Sequence, residues 1–262
     1  MTYWPRCELE ALRTPAHGAG VCPVCFNLID RRAGLCRACR LTEQHLGAVL
    51  PISYALGRGA LHARLAAYKR DADPFVSSAL GSLAELLDRF LITHERCLAG
   101  GQAGFELVTV VPSSDRLRDR LHPLRRIVSE LVGATRRRHL QLLAPGPRTP
   151  PPGRFSRERF RALDRLEGQR VLLVDDMWTT GASAQSAAAT LLAAGASAVS
   201  AVVIGRYLTR DYAQNQARLQ QLSGEFSWSR CAVCARREQL GAEEPRPRDA
   251  QTGLQTPPGL RA

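Results

Sequence analysis

Residues 171–183 read VLLVDDMWTTGAS, an apolar run followed by two acids, two hydroxyl residues, a glycine and the start of a helical pattern. The apolar run, residues 171–174, predicts a buried strand. We expect a helix over residues 182–194, with Gly195 as its C-terminal stop. A second apolar run at residues 198–204 predicts another strand. Strand, helix and strand in this order predict a parallel sheet in an α/β fold.

The polar residues of this segment have a specific chemical use. Asp175 and Asp176 follow the strand at its carboxyl end, where open α/β sheets bind ligands and where two carboxylates can accept hydrogen bonds from vicinal sugar hydroxyls. The hydroxyls and backbone amides at the helix start suit a phosphate; they belong to Thr179, Thr180, Gly181, Ala182 and Ser183. The purely structural alternative is an exposed acid pair before an ordinary helix cap. It explains neither the preceding apolar run nor the following Thr-Thr-Gly. No P-loop or GxGxxG motif competes. The segment therefore predicts a ribose 5-phosphate site.

The segment resembles the phosphoribosyl pyrophosphate loop of the type I phosphoribosyltransferases. The resemblance implies a five-stranded parallel sheet with helices on both faces. It implies that Asp175 and Asp176, as catalytic residues, bind the ribose hydroxyls, and that residues 179–183 bind the 5′-phosphate. It also implies Mg²⁺ bound together with phosphoribosyl pyrophosphate, and expulsion of pyrophosphate through an oxocarbenium-like transition state.

A second loop of such a site is predicted after an earlier strand. The run FELVTVV at residues 105–111 leads into Pro112, Ser113 and Ser114, and basic side chains that could reach a diphosphate follow at Arg116, Arg118 and Arg120. Each arginine alone is equally compatible with an exposed turn. Lys69, the one lysine of the sequence, is interpreted as a helix-surface residue in preference to a phosphate ligand.

Cysteine spacing predicts a metal site near the N-terminus. Cys22, Cys25, Cys36 and Cys39 form two CxxC pairs ten residues apart, the pattern of a closed, structural Cys₄ zinc ribbon. The later pair, Cys231 and Cys234, is a less certain ligand pair: it could complete a second site with Cys7 and a histidine such as His17, pin the chain ends together, or be idle. Cys97 is predicted to be a buried structural thiol.

These features divide the chain into four predicted parts. Residues 1–45 form the zinc-ribbon module, 46–210 the phosphoribosyltransferase-like domain, 211–240 a C-terminal helix (211–222) with the CxxC segment, and 241–262 a disordered tail. Within the large domain we expect helices at residues 75–91 and 124–136 and an exposed proline-rich loop at 144–153.

The order of zinc ribbon, Tyr-Lys pair, Val-Pro loop with arginines, and DD-TTG loop resembles the ComF family over residues 22–206. This family comprises phosphoribosyltransferase-like proteins associated with DNA uptake in competence, and the resemblance implies a cytoplasmic setting. Where family members carry Arg-Gly-Phe-Asn-Gln, this chain has Arg120 followed by Leu121, His122, Pro123 and Leu124. The residues expected at the pyrophosphate and acceptor ends of the site thus differ from the family pattern.

Charge and hydropathy limit the range of functions that the sequence allows. The sequence has a net charge of +12, which suits a polyanionic partner or a solvated surface equally well. It contains no run long enough for a membrane span and no signal peptide. The favoured hypothesis is phosphoribosyl transfer to an unknown acceptor, as in nucleoside metabolism. The alternative is a non-catalytic module that binds single-stranded DNA or a helicase-like partner.

Overall fold

A four-stranded parallel sheet forms the centre of the molecule. The structure is a computed structural model that describes residues 10–69, 75–100, 104–113, 116–148, 150–209, 213–222 and 224–236. The sheet order is β2-β7-β6-β3, with strands β2 (Val49–Leu56), β3 (Leu107–Val110), β6 (Arg170–Trp178) and β7 (Ala198–Leu208). Cys7, Ser114 and the predicted disordered tail, residues 241–262, lie outside the described residues. The α/β class and the parallel sheet are confirmed.

Strands β6 and β7 are the buried centre of this sheet. Leu172, Leu173 and Val174 are each 0% exposed, because helices cover both faces, as in parallel sheets generally. Both strands continue past their predicted ends, since their pairing to one another persists as far as Trp178 and Arg206. The acids therefore lie within β6 and not beyond it.

The fifth strand that the resemblance implies is not formed as a ladder among the described residues. Val108 of β3 instead makes an isolated parallel bridge to His139. Its amide donates to the Arg138 carbonyl at 2.9 Å, and its carbonyl accepts from the Leu140 amide at 3.0 Å. The outer edge of β3 is thus covered at one residue only.

Helices α2 (Ala60–Ala67), α3 (Phe75–Leu98) and α6 (Ala182–Ala193) pack on the sheet. Helix α3 confirms the predicted helix at residues 75–91 and extends it, and buries Leu83, Leu86 and Leu87 completely. Helix α6 confirms its prediction almost to the residue. It ends at the C-cap Ala194, and Gly195 follows with φ +110°, a conformation that favours glycine.

The predicted helix at residues 124–136 is only partly correct. After α4 (Arg116–Arg120), helix α5 (Pro123–Arg126) passes into a π-helical turn, Ile127–Leu131. The turn closes when the Val132 amide donates to the Ile127 carbonyl. The buried Thr135 hydroxyl then donates to the Val128 carbonyl at 2.6 Å, which holds a turn where the helix was expected.

The proline-rich segment at residues 144–153 was wrongly predicted to be exposed loop throughout. Ala144 and Pro145 belong to strand β4 (Leu143–Pro145), which pairs antiparallel with β5 (Phe160–Ala162). Proline is tolerated here because the ladder has only two strands, so both are edges. Gly146 continues the pairing through a 2.8 Å hydrogen bond from its amide to the Arg159 carbonyl.

An early and a late segment of the described chain pair beside strand β2. Strand β1 (Arg13–Thr14) pairs antiparallel with β8 (Gly224–Glu225), which follows helix α7 (Ala213–Leu222). The cysteine-rich segment includes the short helix α1 (Arg37–Leu41). Among the described helices, none combines the length and apolar character needed to cross a lipid bilayer.

Candidate functional site

A cavity of about 760 Å³ opens at the carboxyl edge of the sheet. It gathers residues from β6, the loop after β6, the start of α6 and the loop after β3. Every residue proposed from the DD-TTG segment lines it. These residues are Asp175, Asp176, Thr179, Thr180, Gly181, Ala182 and Ser183. Lys69, Gly153 and residues of the loop after β3 also line it.

The two acids reach the cavity because β3 is shorter than β6. Pairing between these strands ends at Val110 and Val174, where the Val111 amide donates to the Val174 carbonyl at 3.0 Å. Beyond this point β6 is paired to β7 alone. The uncovered side of β6 forms a wall of the cavity, and Asp175 and Asp176 lie in that wall.

Asp176 is held by two residues at the end of helix α2. Its Oδ2 accepts a hydrogen bond from the buried hydroxyl of Tyr68 and lies 2.5 Å from Nζ of Lys69. Asp176 is nearly buried, whereas Lys69 keeps 44% of its side chain exposed. Lys69 is exposed, in line with the preferred prediction of a helix-surface residue, but it also lines the cavity and pairs with Asp176.

Asp175 is in an environment that favours its neutral form. Burial, followed by the adjacent carboxylate of Asp176, raises the pKa of Asp175 to about 8, against the opposing charge of Lys69. Burial likewise holds the pKa of Tyr68 well above its usual value, so its hydroxyl stays a donor to Asp176. The site therefore holds two carboxyl groups in different environments. Their oxygens could accept hydrogen bonds from a ligand or bind a cation.

The loop after β6 presents a helix N-terminus to the same cavity. Gly181 is the N-cap of α6, and the Thr180 hydroxyl accepts from the Ala182 amide at 3.3 Å. The amides of Ser183 and Ala184 lie in the first helical turn, where no intrahelical acceptor exists. Both residues line the cavity, so the positive end of the α6 dipole faces it.

Gly181 is required by both conformation and space. Its φ is +82°, in the left-handed region. A Cβ atom at this position would overlap the indole ring of Trp178, which is 2% exposed. The tight turn that places the helix N-terminus beside the acids thus depends on glycine.

The loop after β3 forms the opposite wall. Ser113 and Arg118 line the cavity, and the Ser113 amide donates to Asp119 Oδ1 at 3.0 Å. Asp119 is in turn paired with Arg125 at 3.2 Å, which fixes the loop. Arg120 is exposed and is not part of the cavity lining, and the side chain of Arg116 lies outside the described part.

His122 is a cavity residue that the sequence did not identify as functional. Burial lowers its pKa, outweighing the nearby carboxylates of Asp176 and Asp119, which raise it. Its Nδ1 is buried and meets no hydrogen-bond partner among the described residues. Leu117 and Leu121, 75% and 71% exposed, line the cavity beside it. This end of the site combines a neutral imidazole with an apolar rim.

The N-terminal cysteines converge as predicted. Cys22, Cys25, Cys36 and Cys39 are all buried, and their sulfurs lie within 4.8 Å of one another, so they could hold a metal ion. The Cys36 amide donates to Cys22 Sγ at 3.5 Å and the Cys39 amide to Cys36 Sγ at 3.4 Å.

Arg206 joins this cluster to the end of strand β6. Its Nε donates to the Cys25 carbonyl at 2.8 Å, and one of its terminal nitrogens donates to the Trp178 carbonyl at 2.9 Å. The side chain is buried at 3% exposure. The sequence did not reveal this connection, because Arg206 and Cys25 are far apart along the chain.

A second group that could hold a metal ion contains Cys231 and Cys234, but with partners other than those proposed. It is completed by His94 and Cys97. The His17 ring lies tilted against that of Phe26, with ring centroids 4.7 Å apart, and His17 is not among the four. Cys97, predicted to be a buried structural thiol, is only half-buried, and its sulfur lies 3.3 Å from that of Cys234.

Comparison with models of known protein families finds no match for the chain, and comparison with curated proteins finds none either.

Proposed function

We propose that this chain is a ComF-like member of the phosphoribosyltransferase family that binds phosphoribosyl pyrophosphate and transfers its phosphoribosyl group to an acceptor. The fold would then be a type I phosphoribosyltransferase fold with an incomplete fifth strand and an N-terminal zinc ribbon. The observation that carries the proposal is the meeting of Asp175 and Asp176 with the N-terminus of α6 in one cavity.

Each wall of the cavity matches one part of this substrate. The carboxyl oxygens of Asp175 and Asp176 accept hydrogen bonds from the ribose hydroxyls, and the first amides of α6 hold the 5′-phosphate. Arg118 lies on the wall where the diphosphate would extend. The bond from C1 to the diphosphate oxygen breaks as the bond to the acceptor forms, and the acceptor loses a proton. We assign the receipt of this proton to the neutral imidazole of His122, which lines the cavity.

The same residues suit the cofactors that this function requires. Carboxylate oxygens are preferred Mg²⁺ ligands, and Asp175 and Asp176 supply them beside the sugar site. When bound, Mg²⁺ neutralises charge on the departing diphosphate. Four buried thiolates at Cys22, Cys25, Cys36 and Cys39 make a closed tetrahedral set, which suits structural zinc.

One observation favours a second candidate function, a binding module without turnover. The end of the cavity where the diphosphate and the acceptor would lie carries the exposed apolar side chains of Leu117 and Leu121, which cannot donate hydrogen bonds to a departing diphosphate. Such a module would keep the nucleotide-like site and act in DNA uptake on single-stranded DNA or a helicase-like partner.

Ligand-induced stabilisation tests the proposal. At a concentration of 100 Kd, phosphoribosyl pyrophosphate with Mg²⁺ should add about 2.7 kcal/mol to the unfolding free energy, or about 5–11 °C in Tm. Asp175→Asn should abolish the shift. Asp164→Asn, a matched change at an exposed acid outside the cavity, should keep it.

Turnover separates the two candidates. Release of pyrophosphate in the presence of an acceptor pool supports transfer. Stabilisation by phosphoribosyl pyrophosphate without pyrophosphate release supports the binding module. If neither this ligand nor ribose 5-phosphate shifts the Tm, both candidates fail.

A further inference from the structure

The second cysteine group joins two distant parts of the chain. His94 and Cys97 lie in α3, and Cys231 and Cys234 follow β8 near the end of the described residues. Their four ligand atoms all lie within 4.8 Å of one another. None of the four residues lines the cavity at the carboxyl edge of the sheet. The group is therefore separate from the proposed sugar-phosphate site.

Local structure aims both pairs at one point. His94 and Cys97 are three residues apart in α3, so their side chains lie on the same face, one turn apart. The Cys231–Cys234 pair is folded into a turn by two hydrogen bonds. The Cys234 amide donates to Cys231 Sγ at 3.5 Å, and the Ala235 amide donates to the Cys231 carbonyl at 3.0 Å. This is the knuckle arrangement in which two thiolates bind one ion.

The imidazole of His94 is oriented as a ligand. Its Nε2 lies 3.1 Å from the Trp228 carbonyl, an acceptor that requires the proton on Nε2 and leaves the Nδ1 lone pair facing the sulfurs. Trp228 is itself held by Arg89, whose guanidinium lies 4.0 Å from the centre of the indole ring. Metal-binding histidines commonly use their other ring nitrogen in this way.

The distances are much closer to the edges of a tetrahedral ion site than to the bond of a disulfide. Zinc–sulfur and zinc–nitrogen bonds of ordinary length give tetrahedral edges of about 3.6–3.8 Å. The sulfur of Cys234 lies 3.3 Å from Cys97 Sγ, 3.4 Å from Cys231 Sγ and 3.6 Å from His94 Nδ1. Cys97 Sγ lies 3.9 Å from His94 Nδ1. A disulfide would bring two sulfurs to about 2 Å.

We propose that His94, Cys97, Cys231 and Cys234 bind a second zinc ion, in a closed site of three sulfurs and one nitrogen. The ion fastens the segment after β8 to the end of α3. Because β8 also pairs with β1, the ion secures the pairing of these two strands. Four protein ligands leave no position for a substrate, so the role of this ion is structural.

Metal content of the full-length protein is the primary test. The purified chain should contain two zinc ions, and Cys97→Ser should contain one while keeping its circular dichroism spectrum. Cys7→Ser, the matched change at the cysteine assigned to neither site, should still contain two. His94→Cys, which supplies a fourth sulfur, should also retain two. A wild-type chain with a single ion, or a Cys97→Ser chain with two, overturns the proposal.

A spectroscopic measurement covers the case in which Cys97→Ser fails to fold. X-ray absorption at the zinc edge of the wild-type protein should give an average of three and a half sulfurs and half a nitrogen per ion. That average combines a Cys₄ site with the site of three sulfurs and one nitrogen. A pure sulfur shell at both ions would rule out His94 as a ligand. Recovery of a disulfide among Cys97, Cys231 and Cys234 after alkylation under native conditions would rule out the ion.

Discussion

Replacing Gly181 by alanine should destabilise the protein through two separable effects. The first is conformational, because φ at this position is +82°, and an alanine in the left-handed region costs about 1–2 kcal/mol. The second is steric, because the new methyl group overlaps the indole of Trp178. That ring is 2% exposed, so overpacking adds about 1–3 kcal/mol. The total expected loss is about 2–5 kcal/mol.

Gly168 provides a matched control for the conformational part. Its φ is +85°, and a Cβ at this position meets no heavy atom within 4 Å. Gly168→Ala should therefore lose only about 1–2 kcal/mol. Urea unfolding of both variants measures the difference, which isolates the contact with Trp178. Adding Trp178→Leu to Gly181→Ala should recover part of the loss, because the smaller side chain leaves room for the methyl group.

The same variants connect the turn to ligand binding. Gly181→Ala displaces the first turn of α6 and should weaken ribose 5-phosphate binding, whereas Gly168→Ala should leave it unchanged. Equal loss of stability in the two alanine variants would refute the reasoning. It would mean that the indole of Trp178 does not restrict the space beside residue 181.

Two further predictions concern the acids of the cavity. The pKa of Asp175 is about 8 in the folded state and about 4 in the unfolded state. Between these values the folded state retains a proton that the unfolded state has released. The free energy of unfolding should therefore fall as pH rises from about 4 to about 8. Denaturation of Asp175→Asn at pH 5 and pH 9 should show that slope removed; parallel slopes in both proteins would contradict the assignment. Tyr68→Phe removes a buried donor to Asp176 and should cost about 1.5–3 kcal/mol in urea unfolding, while Tyr207→Phe should stay within about 0.5 kcal/mol. Equal effects of the two tyrosine changes would argue against the Tyr68 contact.

The parts of the fold that short-range patterns encode were predictable. The strand, helix and strand from β6 to β7 follow from apolar runs bounded by Gly181 and Gly195, because each signal acts within a few residues. The Cys₄ cluster was predictable for the same reason, since its two CxxC pairs lie close together in the sequence. Strand β4, by contrast, was not predicted because its segment is rich in proline. An edge strand of a two-stranded ladder tolerates proline, whereas a central strand does not.

Only part of the candidate site could be predicted from the sequence. The acids and the helix start form one continuous segment, so their chemistry could be inferred together. Tyr68, Lys69 and His122 come from other elements, and only the packing of α2 and the loop after β3 brings them to Asp176 and the cavity. His94 and Cys97 were missed as ligands for the same reason, although their spacing of three residues on a helix face was an available signal.

Arg206 sets a limit on how this protein can be dissected. A truncated chain beginning after residue 45 would keep the buried guanidinium but remove the Cys25 carbonyl that accepts its Nε hydrogen. A buried cation without its acceptor is costly, and relief would come from rotation of the side chain away from the Trp178 carbonyl. For expression work, we therefore expect the N-terminal cysteine segment to be an inseparable part of the scaffold that holds the end of β6. In evolutionary terms, loss of this segment would require a compensating change at Arg206.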